Sequence, residues 1–247
     1  MSMFKDQINQ ESLPKHVAVI MDGNGRWAKK IGKARIFGHR NGVKAVRETA
    51  EAAAELGIEH LTLYAFSTEN WNRPKLEVSA LMMLLVDTLK KEINTLNKNN
   101  IKLHAIGDLT KLPKKTYKAL MDGIESTKNN TRMTLHLALN YSSRWEIIEA
   151  AKKIAVLAKE GKLDPNSVDE TEFDKHLATA GIPDPELLIR TSGERRLSNY
   201  LLYQLAYTEL YFTDNYWPEF RKVDFYKALI DFQMRERRFG MTSDQIS

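Results

Sequence analysis

The chain has 247 residues, enough for one α/β domain or two small ones and for a sizeable buried core. Its 43% hydrophobic and 28% charged content is ordinary for a soluble globular protein, and the absence of cysteine excludes disulfides and thiol chemistry. A net charge of +5 points to an anionic partner: a phosphorylated small molecule, nucleic acid or a membrane surface.

The polar start, residues 1–14, has no apolar signal core and is expected to be flexible. Strand and helix signals then alternate. Val17–Met21 reads as a buried strand. Gly42–Leu56 reads as a helix stopped by Gly57. Leu61–Phe66 is a second strand, Leu76–Leu96 a long helix and Ile101–Ile106 a third strand. Lys114–Asn129 is helical, Met133–Leu139 a fourth strand, and Arg144–Glu160 and Glu170–Ala180 are helical. Leu187–Ile189 is a short strand, Leu205–Phe212 another with an ambiguous start, and Val223–Arg238 a closing helix. The longest apolar stretch, Ala80–Val86, is far too short to span a bilayer, so a cytoplasmic protein is expected. No repeat or linker interrupts the pattern. It predicts one α/β domain, residues 1–247, with a mainly parallel sheet flanked by helices.

Asp22, Ser67, Asp108, Asn140 and Arg190 each follow an apolar strand directly. Parallel sheets bind ligands at the carboxyl ends of their strands, so these residues mark one rim as the candidate site. Strands must end in polar loops anyway, which explains part of the pattern. At the first of these ends, Asp22 precedes Gly23-Asn24-Gly25-Arg26-Trp27, and Lys29, Lys30, Lys33, Arg35, His39 and Arg40 follow. Glycines at a strand-to-helix turn let backbone N–H groups converge on an anion. A lone acid there suits a Mg²⁺ ligand facing a bound diphosphate. The turn is neither a P-loop nor a dinucleotide fingerprint, because the Gly-Lys-Ser/Thr and the third glycine are missing.

The second loop, Phe66-Ser67-Thr68-Glu69-Asn70-Trp71-Asn72-Arg73-Pro74, mixes hydroxyls, an amide, a cation and two flat apolar rings. It fits a diphosphate beside a hydrocarbon, and equally a helix cap; both readings are compatible. The third, Arg190 to Asn199, clusters Arg190, Arg195, Arg196 and Ser198 around Gly193, suited to bidentate phosphate contacts. Glu209 is a second acid, readable as a metal ligand or as a surface ion pair. The Leu76–Leu96 helix carries Met83, Leu84 and Val86 beyond its core stripe. It is either covered on two sides, for example by a second subunit, or lines a tunnel for a hydrocarbon chain. His136, inside an apolar strand, reads as a satisfied core residue.

The segments HVAVIMDGNGRWAKK, GHRNG, LTLYAFSTENWNRP, RTSGERRLSNYLLYQLAYTELYF and RERRFG, taken together and in this order, resemble the cis-prenyltransferase family from about His16 to Gly240. The Asp-rich motifs of trans-type synthases are absent. The resemblance implies an apolar tunnel between sheet and helices. It implies Mg²⁺-dependent, sequential cis-condensation of isopentenyl diphosphate onto farnesyl diphosphate, giving a long polyprenyl diphosphate for cell-wall lipid carriers. Asp22 would hold Mg²⁺, with Glu209 completing the metal site. Gly23, Asn24, Gly25, Arg26, Arg35 and His39 would cradle the farnesyl diphosphate, with Trp27 against it. Ser67, Thr68, Glu69, Asn70, Trp71 and Arg73 would form a mobile loop between the substrates. Arg190, Arg196 and Ser198, with Leu197 beside them, would bind isopentenyl diphosphate. Residues 238–247 would reach the partner subunit of a homodimer. The product's destination implies peripheral membrane contact, while no nucleic-acid partner is expected.

Two departures stand out: Ser142-Ser143 replace the usual glycines, and Tyr200 and Tyr203 replace Phe and Trp. Asn70 is often assigned the leaving proton in this family. An amide is a poor base, and a diphosphate oxygen is the better acceptor, with Asn70 positioning it. Rival readings are a phosphohydrolase, which needs no tunnel, a nucleic-acid binder, and a non-catalytic family subunit, which typically lacks parts of the Asp/Arg set kept here.

Overall fold

The computed structural model describes residues 2–245. The apolar run that opens the fold is the centre of a sheet covered on both faces: β1 (His16–Ile20) is buried at every position. With β2 (His60–Ser67), β3 (Ile101–Ile106), β4 (Met133–Tyr141), β5 (Leu187–Arg190) and β6 (Glu209–Phe212) it forms one parallel sheet, ordered β3-β4-β2-β1-β5-β6. The helices are α1 (Ser2–Lys5), α2 (Asn24–Lys30), α3 (Arg35–Leu56), α4 (Lys75–Lys98), α5 (Lys114–Thr127), α6 (Ser143–Lys159), α7 (Glu170–Asp174) and α8 (Lys222–Gln233). This is the single-domain α/β architecture expected from the alternation. Among the described residues no helix is long and apolar enough to cross a membrane.

Period-two alternation sorts the strand residues onto two faces. Val17, Val19, Leu61, Leu63, Leu135, Leu137 and Ile189 join one core with residues of α3, α4, α5 and α8. Ala18, Ile20, Ala138, Tyr141 and Leu188 join a second with Tyr200, Leu201, Leu205 and Trp145 of α6. The register of β2 on β4 shifts between Tyr64 and Phe66 and again before Ser67. Such an irregularity re-aims the strand end, here where the Ser67–Arg73 loop begins.

Several boundaries differ from the sequence expectation. Helix α3 starts at Arg35 rather than Gly42, because Gly38 and Gly42 act as close-packing positions and not as breakers. A Cβ on Gly38 would lie 1.9 Å from the Asn24 carbonyl oxygen, and one on Gly42 2.9 Å from Trp217. The helix expected over Glu170–Ala180 stops at Asp174 and continues as turns to Gly181, at φ +77. β6 is only its last four residues, and α8 ends at Gln233. In the segment expected to be flexible, Ile8 is buried and Asn9 exchanges two hydrogen bonds with Gln233.

Candidate active site

β1 is flanked by β2 and β5, and the sheet runs outward in both directions from it. Such a reversal of strand order opens a crevice at the carboxyl ends. Asp22 stands there. Its backbone N–H donates to Thr191 Oγ1 at 2.9 Å, and that hydroxyl donates to the Asp22 carbonyl at 2.7 Å, tying the ends of β1 and β5 together. The carboxylate accepts from Gly23 N–H (2.6 Å) and Arg190 Nη2 (3.0 Å) and pairs with Arg26 Nη2 (3.1 Å). Burial opposes its charge, but the Arg190 hydrogen bond, Arg26 and the Gly23 N–H outweigh it and hold the carboxyl below the usual range. Gly23 is required by its backbone: φ is +98, and a Cβ would lie 2.6 Å from Tyr216.

The second anchor is Arg190, only 3% exposed. Besides Asp22 it reaches Ser198 Oγ at 2.8 Å and the Arg196 carbonyl. Arg196 and Arg26 both pair with Glu194, which gathers them at the rim. Ser198 and Asn199 adopt left-handed φ of +52 and +60. Asn199 ties this loop to its surroundings: its Nδ2 donates to Glu69 (2.8 Å) and its Oδ1 accepts from Arg144 N–H (3.0 Å). The Ser143 departure fits here, since its buried hydroxyl accepts from Leu202 N–H at 2.9 Å.

On the third side, His39 of α3 faces Arg73. Burial, then the Arg73 charge, lower the His39 pKa to about 4, so the ring is neutral. Arg35 and Arg73 share the carboxylate of Glu77, at 3.3 and 3.2 Å. Glu77 was not singled out from sequence, where an acid in a first helical turn reads as a dipole partner. Ser67 and Asn70 form a reciprocal cap, and Asn70 Oδ1 accepts the Ser67 N–H at 3.2 Å. Thr68 turns its hydroxyl to Glu69 (3.3 Å), and Trp71 Nε1 donates to Asn140 (2.7 Å) while its ring meets Phe66 edge-on.

Behind this rim a cavity of about 730 Å³ runs between the sheet and helices α3 and α4. Asp22, Asn24, His39, Ser67, Glu69 and Asn70 line its mouth, as do Arg73, Arg190, Arg196 and Ser198. Its walls are Val43, Val46, Leu63, Leu85, Leu137 and Leu139, and it reaches Leu96, Asn99 and Ile101 at the far end. The cavity opens at the rim, so its space is occupied by solvent or a ligand. Buried atoms at its mouth agree: Asn24 Oδ1, His39 Nε2 and Arg190 Nε have no hydrogen-bond partner. An unsatisfied buried polar group costs about 1–3 kcal/mol.

Some expected residues stand elsewhere. Trp27 lies outside the cavity, stacked on Phe37 and donating to Glu219 at 3.0 Å. Leu197 packs into the second core, whereas Arg35 keeps to the rim beside Gly25, whose Cβ would be 2.8 Å from its guanidinium. The cavity floor lies at Leu96 and Ile101. Glu209, expected as the second metal ligand, stands away from Asp22 within one chain. It opens β6 opposite Leu187, whereas Arg190 and Phe212 mark the rim end of the same pair. Three strand residues at about 3.3 Å each place it roughly 10 Å or more below the rim. It pairs with Arg235 at 2.9 Å, so within one chain it cannot share an ion with Asp22. Among the described residues no three His, Asp or Glu side chains gather to hold a metal.

An anion-binding rim over a deep apolar cavity suits a substrate with a phosphorylated head and a hydrocarbon tail. Residues 20–240 match the family described as putative undecaprenyl diphosphate synthase. The chain belongs to this cis-prenyltransferase family. It is 52% identical over 234 residues to an isoprenyl transferase of Chlorobaculum tepidum, covering 95% of this chain and 88% of that one. It is 49% identical over 236 residues to the farnesyl-diphosphate-specific ditrans,polycis-undecaprenyl-diphosphate synthase of Haemophilus influenzae, covering 96% and 99%. Among solved structures it is similar to lavandulyl diphosphate synthase from Lavandula x intermedia in complex with dimethylallyl diphosphate. That match has a TM-score of 0.91 at 40% identity, covering 93% of this chain and 99% of that one. This prenyltransferase thus shares its fold with a relative whose structure holds an allylic diphosphate.

Proposed function

We propose that the chain extends farnesyl diphosphate by successive cis-additions of isopentenyl diphosphate, giving a long polyprenyl diphosphate. The observation that carries this is a cavity of about 730 Å³ with Arg73, Arg190 and Arg196 at its mouth and apolar walls behind them. A phosphohydrolase has no use for that volume, and a nucleic-acid binder has no use for its depth.

In each cycle the terminal alkene carbon of isopentenyl diphosphate bonds to the allylic carbon. The allylic C–O bond breaks, diphosphate leaves, and one proton is lost. Charge gathers on the departing diphosphate, where preorganised cations act most strongly. Asn24, Arg26, Arg35 and His39 surround the allylic site, with Gly23 and Gly25 admitting close approach. Arg190, Arg196 and Ser198 hold the isopentenyl head. The loop Ser67–Arg73 lies between them. Asn70 Oδ1 already accepts the Ser67 N–H, so the leaving proton goes to a diphosphate oxygen and Asn70 shapes the loop that presents it.

Mg²⁺ fits this donor set. It is commonly held by one or two carboxylates plus substrate phosphates, and Asp22 offers one carboxylate kept ionised by its neighbours. When bound, the ion neutralises charge developing on the leaving diphosphate. A homodimer in which residues 238–247 reach the partner's site, and peripheral contact with a membrane that takes up the product, complete the proposal. Incubation with farnesyl diphosphate, labelled isopentenyl diphosphate and Mg²⁺, followed by chromatographic sizing, tests it. A ladder of lipid-soluble labelled diphosphates is expected; release of inorganic phosphate or diphosphate without chain growth would overturn it.

A further inference from the structure

The charge of this chain is concentrated in one place. Residues 23–47 contain eight Lys or Arg and no Asp or Glu, so the rest of the chain is net acidic. Some of these cations are spoken for: Arg26 pairs with Glu194, Arg35 with Glu77 and Arg47 with Glu92. The side chains of Lys29, Lys33 and Arg40 are exposed and make no salt bridge or hydrogen bond among the described residues. Lys75, at the start of α4, is likewise exposed.

Large apolar side chains stand among them. Ile31 is 46% exposed and Phe37 39%, while Leu76 and Met83 on α4 reach 88% and 67%. The patch is contiguous. Phe37 stacks on Trp27, and the Arg35–Glu77 pair joins the α2–α3 turn to the residue next to Leu76. Met83 is two turns further along α4, and its chain neighbours Met82 and Leu84 line the cavity. The ridge therefore borders the tunnel.

We infer that this ridge, the α2–α3 turn with the outer face of α4, docks the protein on an anionic lipid surface. Unpaired lysines beside exposed apolar side chains match negatively charged head groups above an acyl layer. A nucleic acid would satisfy the lysines and leave Leu76 and Met83 in water. Free diphosphate has the arginines of the rim, Arg190 and Arg196 among them. The inference rests on the proposed function in one respect: a long polyprenyl product is insoluble in water, and a tunnel held against a bilayer can release it there.

The test is sedimentation of the full chain with phosphatidylcholine vesicles, with and without phosphatidylglycerol, at low and high salt. Binding is expected only with phosphatidylglycerol, and salt should reverse it. Lys29→Gln with Lys33→Gln should lower the partition constant by about tenfold or more. Leu76→Ser with Met83→Ser should lower it similarly, and neither pair should alter the condensation rate in detergent. Equal binding to both vesicle types, no binding, or unchanged binding of both double variants would overturn the inference. Product made in detergent without vesicle binding would overturn docking alone. Selective vesicle binding with no product would support docking and overturn the reading of the reaction.

Discussion

On one face of the sheet Leu63, Leu137 and Leu139 look across a cavity of about 730 Å³ to α3 and α4. On the other face the same strands carry Thr62, His136 and Tyr141, and these interlock. His16 bonds Thr62 at 2.6 Å, His136 lies 3.0 Å from both His60 and His104, and Tyr200 stacks on Tyr64 at 4.3 Å. Buried Glu146 collects Tyr141, Gln204 and the Ala178 N–H. The polar face is tied together by directional hydrogen bonds. The apolar face can hold open space because nothing on it demands a directional partner. The polar face positions the rim loops; the open face holds the substrate. Conversion of one role into the other by mutation should therefore fail in different ways on the two sides.

The largest effect is expected where the two faces meet. Asp22→Ala should keep the fold and lose roughly a thousandfold or more in turnover at saturating Mg²⁺, equivalent to about 4 kcal/mol of barrier. Near-normal turnover would separate Asp22 from the chemistry. On the polar face, Glu146→Ala removes the acceptor for three buried groups and should destabilise the fold by about 3 kcal/mol. Urea unfolding reads this directly, and a midpoint like that of the wild type would mean the polar face carries no such weight. At the rim, Arg196→Ala should raise the KM for isopentenyl diphosphate roughly ten- to a hundredfold, from about 1.5–3 kcal/mol of charge-assisted bonding. The farnesyl diphosphate KM should stay, and a shift of that constant instead would exchange the two anion sites.

The histidine cluster gives the fourth prediction. Burial lowers His16 to about 4 and His136 to about 2, from 6.5. The unfolded chain thus binds more protons below pH 6.5, so stability is full above that value and falls on acidification. At pH 5 each residue should contribute a loss of about 2 kcal/mol. Melting temperatures from pH 7 to 5 should decline, and His136→Gln should flatten the slope. A pH-independent melting temperature would show that the cluster is already relaxed.

Much of the site was legible because its elements are short and its signals local. Five buried residues ending in Asp22-Gly23 can be read directly as a strand and a tight turn. The arginines around Gly193 likewise had few places to go. What sequence does not show depends on direction and packing. Glu209 lies in a stretch whose strand character is clear, but sequence does not say which end of β6 meets the rim. The four-residue-spaced Gly38 and Gly42 let Asn24 and Trp217 press against the helix, a contact that sequence does not show. Glu77 is an ordinary first-turn acid until Arg35 and Arg73 converge on it from separate segments. The cavity itself was foreshadowed only by the excess of apolar side chains on α4, which a second packed layer would explain as well.

That last ambiguity is the one to remove, because the account stands on the open face being a tunnel. Leu85 lines the cavity midway along α4. Product sizes from Leu85→Trp, given farnesyl diphosphate and labelled isopentenyl diphosphate, decide it. A blocked tunnel predicts shorter polyprenyl diphosphates with the first condensation as fast as in the wild type, since the diphosphate sites lie at the mouth. An unchanged product distribution in a folded Leu85→Trp protein would contradict the account and make this face ordinary core.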